Sequence, residues 1–103
     1  MKREIEMMQM FNAKSSKLAE MYVFARDQDD AIMIYSSFKK LINTTQDPYE
    51  IKRVDDGPGW EPNRAVRRIL KAGTRGVGMP YPKANEWLPE ASEWIVWHAP
   101  PNL

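Results

Sequence analysis

Residues 21–43 read MYVFARDQDDAIMIYSSFKKLIN, and the fold class turns on them. From Asp30 to Asn43, Ala31, Ile34, Tyr35, Phe38, Leu41 and Ile42 recur at three- and four-residue steps. Ser36, Ser37, Lys39, Lys40 and Asn43 occupy the other face, so the spacing predicts an amphipathic helix. Asp27, Asp29 and Asp30 offer capping carboxylates at its start. Lys39 and Lys40 suit the dipole at its end. The stripe of Ile34, Tyr35, Phe38, Leu41 and Ile42 is therefore expected to be buried. MYVFA, before the helix, is rich in strand-favouring residues and reads as a short buried strand. Leu18, Met21, Tyr22 and Ala25 fit a helix as well, because periodicity does not decide so short a run.

Working outward, Ile5, Met8 and Phe11 stand at helical spacing, so a first helix is expected over Glu4–Phe11, with a break at Asn12–Ser16. NTTQDP (43–48) reads as a loop, and YEIKRV (49–54) as a strand. DDGPGWEP (55–62) is dense in turn formers. Asn63 caps a second helix ending near Ala72, with Gly73 as its stop. GTRGVGMPYP (73–82) reads as a long loop, Ala84–Glu90 as a turn of helix, and EWIVWH (93–98) as a last strand. The predicted fold is α+β: three strands, or four, in a mostly antiparallel sheet, with two or three helices packed on one face.

A length of 103 residues fits one domain with a thin core. At 43% hydrophobic the chain is too apolar for disorder. It has no cysteine, which excludes disulfides, thiolate metal sites and a cysteine nucleophile. No apolar run approaches the ~20 residues that span a bilayer. MKREIEMMQMF carries acids and no long apolar stretch, unlike a signal peptide. The expectation is a soluble protein of the cytoplasm with no membrane partner.

The net charge of +1 conceals a sorted distribution. Residues 63–83 hold six Lys/Arg and no acid, while residues 84–103 hold three Glu and no base. Arg64, Arg67, Arg68 and Lys71 lie at i, i+3, i+4 and i+7, which puts four cations on one helix face. Val66, Ile69 and Leu70 fall opposite. Arg75 follows in the glycine segment and extends the patch. Arginine suits bidentate contact with phosphate or carboxylate. The plainer account is a solvated face, or cations paired with acids elsewhere, such as Glu86, Glu90 or Glu93. Trp60 lies four residues before Arg64 and is a candidate contact residue. The candidate partner-binding set is Arg64, Arg67, Arg68, Lys71, Arg75 and Trp60.

No catalytic, metal-binding or cofactor-binding set emerges. Gly73, Gly76 and Gly78 do not match a phosphate-loop spacing and follow a helix instead of preceding one. The aspartates at 27–30 lack the later ligands of a calcium loop. Asp55 and Asp56 are turn residues before a glycine. His98 is the only histidine, with no orienting partner in its surroundings, and reads as a surface residue. Trp94 and Trp97 take opposite faces of a strand. Two function classes lead, and an enzyme is kept as a third only because convergent sites need no motif. The first is a non-enzymatic module that docks an anionic partner, either nucleic acid or an acidic protein surface. The second is a small inhibitor or adaptor, viral or mobile-element types included, that uses its tryptophans and the Met7, Met8, Met10 cluster.

Overall fold

The computed structural model describes residues 8–81 and 93–103. Five strands and two helices follow in the order β1 (Gln9–Ser15), β2 (Met21–Ala25), α1 (Gln28–Leu41), β3 (Tyr49–Arg53), α2 (Arg64–Lys71), β4 (Gly76–Tyr81) and β5 (Glu93–His98). The strands form one sheet in the order β3-β1-β2-β4-β5, and every neighbouring pair is antiparallel. The α+β class stands, but the sheet has five strands where three or four were expected.

Two of these strands lie where the sequence predicts something else. The expected first helix ends in β1, and the expected break at Asn12–Ser16 is mostly strand. Met10, Phe11, Asn12 and Ala13 are buried in succession. A strand with neighbours on both sides and cover on both faces loses the alternation by which strands are read. The expected glycine loop contains β4. Gly76 is there because a Cβ would stand 2.0 Å from the Trp97 carbonyl oxygen of β5. Pro80 lies beyond Gly78, where pairing with β2 ends, so its missing N–H breaks no ladder on that side. The expected turn of helix at Ala84–Glu90 lies outside the described residues.

Side-chain alternation divides the sheet into two faces. On the first, Phe11, Ala13, Val23, Ala25 and Val77 pack with Ala31, Ile34 and Tyr35 of α1. On the second, Met10 and Phe24 pack with Val66 and Leu70 of α2. The two helices therefore cover opposite faces, which corrects the expectation of one. Val23, Phe24 and Ala25 are all fully buried for the same reason. Trp97 joins the first layer and meets Phe38 at a tilt of 53°, with ring centroids 5.6 Å apart. Trp94 joins the second, edge-on to Tyr22 at 5.6 Å and to Phe24 at 5.8 Å.

Both helices end as their sequences dictate. Asp27 caps α1 by accepting from the Asp30 N–H at 2.8 Å. Asn63 caps α2 by accepting from the Val66 N–H at 2.9 Å. At the C-termini Asn43 (φ 64°) and Gly73 (φ 73°) take the left-handed conformation. The Thr44 N–H then reaches the Lys39 carbonyl at 2.8 Å, and the Thr74 N–H the Ile69 carbonyl at 3.3 Å, closing a Schellman motif at each helix. The buried stripe of α1 stops short of its prediction. Ile34 and Tyr35 are fully buried and Phe38 half-buried, but Leu41 is 64% exposed and Ile42 39%. The last turn of α1 runs past the sheet.

Lys39, expected on the solvated face, is buried. Its Nζ donates to Asp47 Oδ2 at 2.9 Å and lies 5.7 Å from the ring centroids of Tyr35 and Tyr49. Asp47 also accepts from the Ser16 hydroxyl and from the Ser16 and Lys17 N–H groups at 3.2 Å each. One carboxylate thus joins the segment after α1 to the β1–β2 connection.

Two outcomes follow from this packing. The Ser16 hydroxyl holds the Asp47 carboxyl well below its ordinary value of 3.8, helped by Lys39 against the cost of burial. Burial pushes Asp30 up, but hydrogen bonds from Arg75 and the Arg26 N–H outweigh it and leave the group low as well. The unfolded chain therefore binds protons first, and stability should fall as pH drops through about 4. Urea midpoints at pH 7, 4 and 3 measure this, and Asp47→Asn should flatten the profile while lowering the midpoint at pH 7. Separately, Gly76→Ala should unfold the chain or lower its Tm far more than Gly57→Ala, whose added methyl meets nothing within 4 Å.

Candidate anion-binding face

α2 carries the segment's charge on its outer side. Val66 and Leu70 face the sheet, and Arg64, Arg67, Arg68 and Lys71 are all exposed. With Ala72 the four cations line one shallow depression of about 480 Å³ to which no carboxylate contributes among the described residues. Among the described residues no acid forms an ion pair with any of them. Like charges at i+3 and i+4 repel by a few tenths of a kcal/mol per pair, and Arg64 stands in the first turn against the helix dipole. The arrangement concentrates positive potential on a rigid element capped at both ends.

Arg75 does not belong to this face. Its Nε donates to Asp30 Oδ2 at 3.0 Å and its terminal nitrogen to Asp30 Oδ1 at 2.5 Å, a bidentate clamp. The same nitrogen reaches the Leu103 carbonyl oxygen at 3.0 Å. Arg26 adds its N–H to Asp30 at 3.0 Å. Arg75 is mostly buried and ties β4 to the start of α1, where sequence reasoning expected an extension of the cationic stripe. Asp30, read as one of several cap residues, is the buried partner that accounts for it. An acid near the start of one helix and an arginine 45 residues on leave no local sequence signal for such a pair.

Trp60 also stands apart from the cations. It is half-buried against Met10, Val66 and Leu70 and is not a wall of the cationic depression. It borders instead a groove of about 690 Å³ on the second face of the sheet. α2 covers the Met10–Phe24 end of that face. Two residues along each strand, Asn12 and Tyr22 are paired across β1 and β2, and Lys52 is paired with Asn12 from β3. These residues and Lys14 line the groove between Trp60 on one side and Trp94 on the other. Asn12 Nδ2 donates to Glu20 Oε2 at 2.5 Å within it. Asn63 and Val66, the cap and third residue of α2, form the wall nearest the cations. The groove went unpredicted, since it is assembled from residues of six segments.

His98 is exposed on β5. Asp55 pairs with Arg53 through Oδ1 and Nε at 2.6 Å. Among the described residues no three His, Asp or Glu side chains converge as metal ligands, and no helix is long and apolar enough to cross a membrane. No protein-family model, curated protein or solved structure matches the chain.

The two kinds of arginine should part under mutation. Arg67→Glu with Arg68→Glu should leave Tm within a few degrees of the parent, because exposed cations with no ion-pair partner among the described residues contribute little to packing. Arg75→Gln, which leaves the buried Asp30 carboxylate without its clamp, should lower Tm by roughly 10 °C or more. Thermal melts followed by circular dichroism distinguish the two.

Proposed function

We propose that the protein is a non-enzymatic docking factor that binds the phosphate backbone of a nucleic acid through the outer face of α2. The observation that carries this reading is the depression formed by Arg64, Arg67, Arg68 and Lys71, to which no carboxylate contributes among the described residues. Three guanidinium forks and one ammonium on a fixed helical surface match a run of phosphates. Arginine contacts phosphate in a bidentate manner, and each neutralised phosphate releases condensed counterions. Arg75 and Trp60 contribute differently from the expectation: Arg75 secures the start of α1, and Trp60 lines the groove beside the start of α2.

A second reading draws on a separate surface. Ile95 on the edge strand β5 is 55% exposed, and Leu41 and Ile42 at the end of α1 are exposed too. Exposed apolar side chains on an edge strand and at a helix end suit protein–protein contact, as in an inhibitor or adaptor. The Met7, Met8, Met10 cluster offered for that role lies partly outside the described residues.

Fluorescence anisotropy with a labelled oligonucleotide at two salt concentrations tests the first reading. Affinity should fall steeply with salt, with a log–log slope of roughly −3 to −4 if all four cations meet phosphates. The Arg67→Glu, Arg68→Glu variant should lose binding while keeping its melt. Binding indifferent to both salt and reversal would favour the second reading.

A further inference from the structure

We infer that the groove between Trp60 and Trp94 is a base-stacking site, so that the nucleic acid held by α2 is single-stranded. This rests on the reading of α2 given above and names the form of its ligand. The groove and the cationic depression lie on the same side of the sheet, with no chain break between them. Asn63 lines the first, and the next residue, Arg64, lines the second.

The two cavities divide a nucleotide's chemistry. Among the described residues the charged side chains lining the depression on α2 are all cations, and it takes the charged part. Among the described residues the groove sets Lys14 and Lys52 against Glu20 and Glu61, whose formal charges cancel, so they offer phosphate no net attraction. What it offers is aromatic: Tyr22, Trp60 and Trp94 are each half-exposed and border the same space. Tyr22 and Trp94 meet edge to face with their planes at 63°, which leaves ring surface free for a flat neutral group. At about 690 Å³ the groove falls in the size range of small-molecule and cofactor sites. Stacking of bases on such rings is tolerant of sequence, because every base has a π face. In a duplex the bases are already stacked on each other and do not enter the groove.

The division predicts separable effects. Loss of groove rings lowers affinity without changing the salt slope, whereas loss of α2 cations changes the slope. The test measures anisotropy of the intact protein with a labelled oligothymidylate, a duplex of equal length and an abasic deoxyribose-phosphate strand, at two salt concentrations. The oligothymidylate should bind at least tenfold more tightly than the abasic strand or the duplex. Tyr22→Leu and Trp60→Leu, which keep apolar bulk, should each remove most of that preference at an unchanged salt slope. Should either variant melt early, the abasic comparison on the unaltered protein decides alone. Equal, salt-dependent affinity for all three ligands would overturn the stacking site and leave the α2 reading standing. No affinity for any of them would overturn both.

Discussion

The seating of α1 on the sheet depends on two buried carboxylates, one at each end of the helix. Asp30, in its first turn, receives the Arg75 fork and the Arg26 N–H. Asp47, six residues past its end, receives Lys39 and the Ser16–Lys17 turn. The Arg75 bonds span 45 residues of sequence, and those from Ser16 and Lys17 span 31 and 30. Burying a charge is costly unless it is paired and its remaining lone pairs are satisfied. Both aspartates meet that condition, so they tolerate few alternative positions for the elements they join. The apolar layer of Ala31, Ile34 and Tyr35 supplies attraction without direction. The carboxylates add the direction: they fix where α1 begins, and where the chain leaves it for β3.

With α1 fixed across the first face, β4 and β5 can extend the sheet only if they approach closely. Gly76 meets that need, since any side chain there would collide with the β5 backbone. Gly78 stands 3.2 Å, by its absent Cβ, from Phe24 and from Val96. The second face is then left with more sheet than one eight-residue helix can cover. α2 covers the Met10–Phe24 end, and the remainder, toward Asn12, Tyr22 and Lys52, becomes the groove. The groove is thus a consequence of the mismatch between a five-stranded sheet and a short helix.

Local chemistry made part of this legible in the sequence. The helices could be read because cap and period are both encoded within a few residues, as Asp27, Asn63 and Gly73 show. β2 and β5 could be read because each is an apolar run, and β3, YEIKR, because it is a short stretch with mixed faces set off by turn formers on both sides. β1 and β4 could not. β1 is covered on both faces and lacks alternation, and β4 is written in glycine and proline, which ordinarily punctuate. A signal for helices on both faces was present in MYVFA: consecutive buried residues imply cover above and below. The cationic face of α2 was visible as spacing alone. The exclusion of Arg75 from it was not, because an ion pair spanning 45 residues has no period. Lys39 was misplaced for the same reason, its partner lying in a loop read only as a loop.

The treatment of charge across the molecule bears on what α2 is for. Wherever the described fold buries a cation, it supplies a carboxylate within hydrogen-bond distance: Asp47 for Lys39 and Asp30 for Arg75. Even the more exposed Arg26 and Arg53 reach Asp30 and Asp55. Arg64, Arg67, Arg68 and Lys71 have no such partner among the described residues; Lys14, Lys17, Lys40 and Lys52 have none either, but the α2 cations stand together on one helix face. Helix formation alone would favour acids in the first turn of α2 and opposite charges at i+4. The sequence places arginine at both kinds of position and so forgoes stability that local substitution would restore. Sites where a sequence departs from its own local rules are where function is expected to compete with folding. An anionic ligand would relieve the repulsion and complement the dipole at once, so the energetic penalty in the free protein becomes a gain in the bound one.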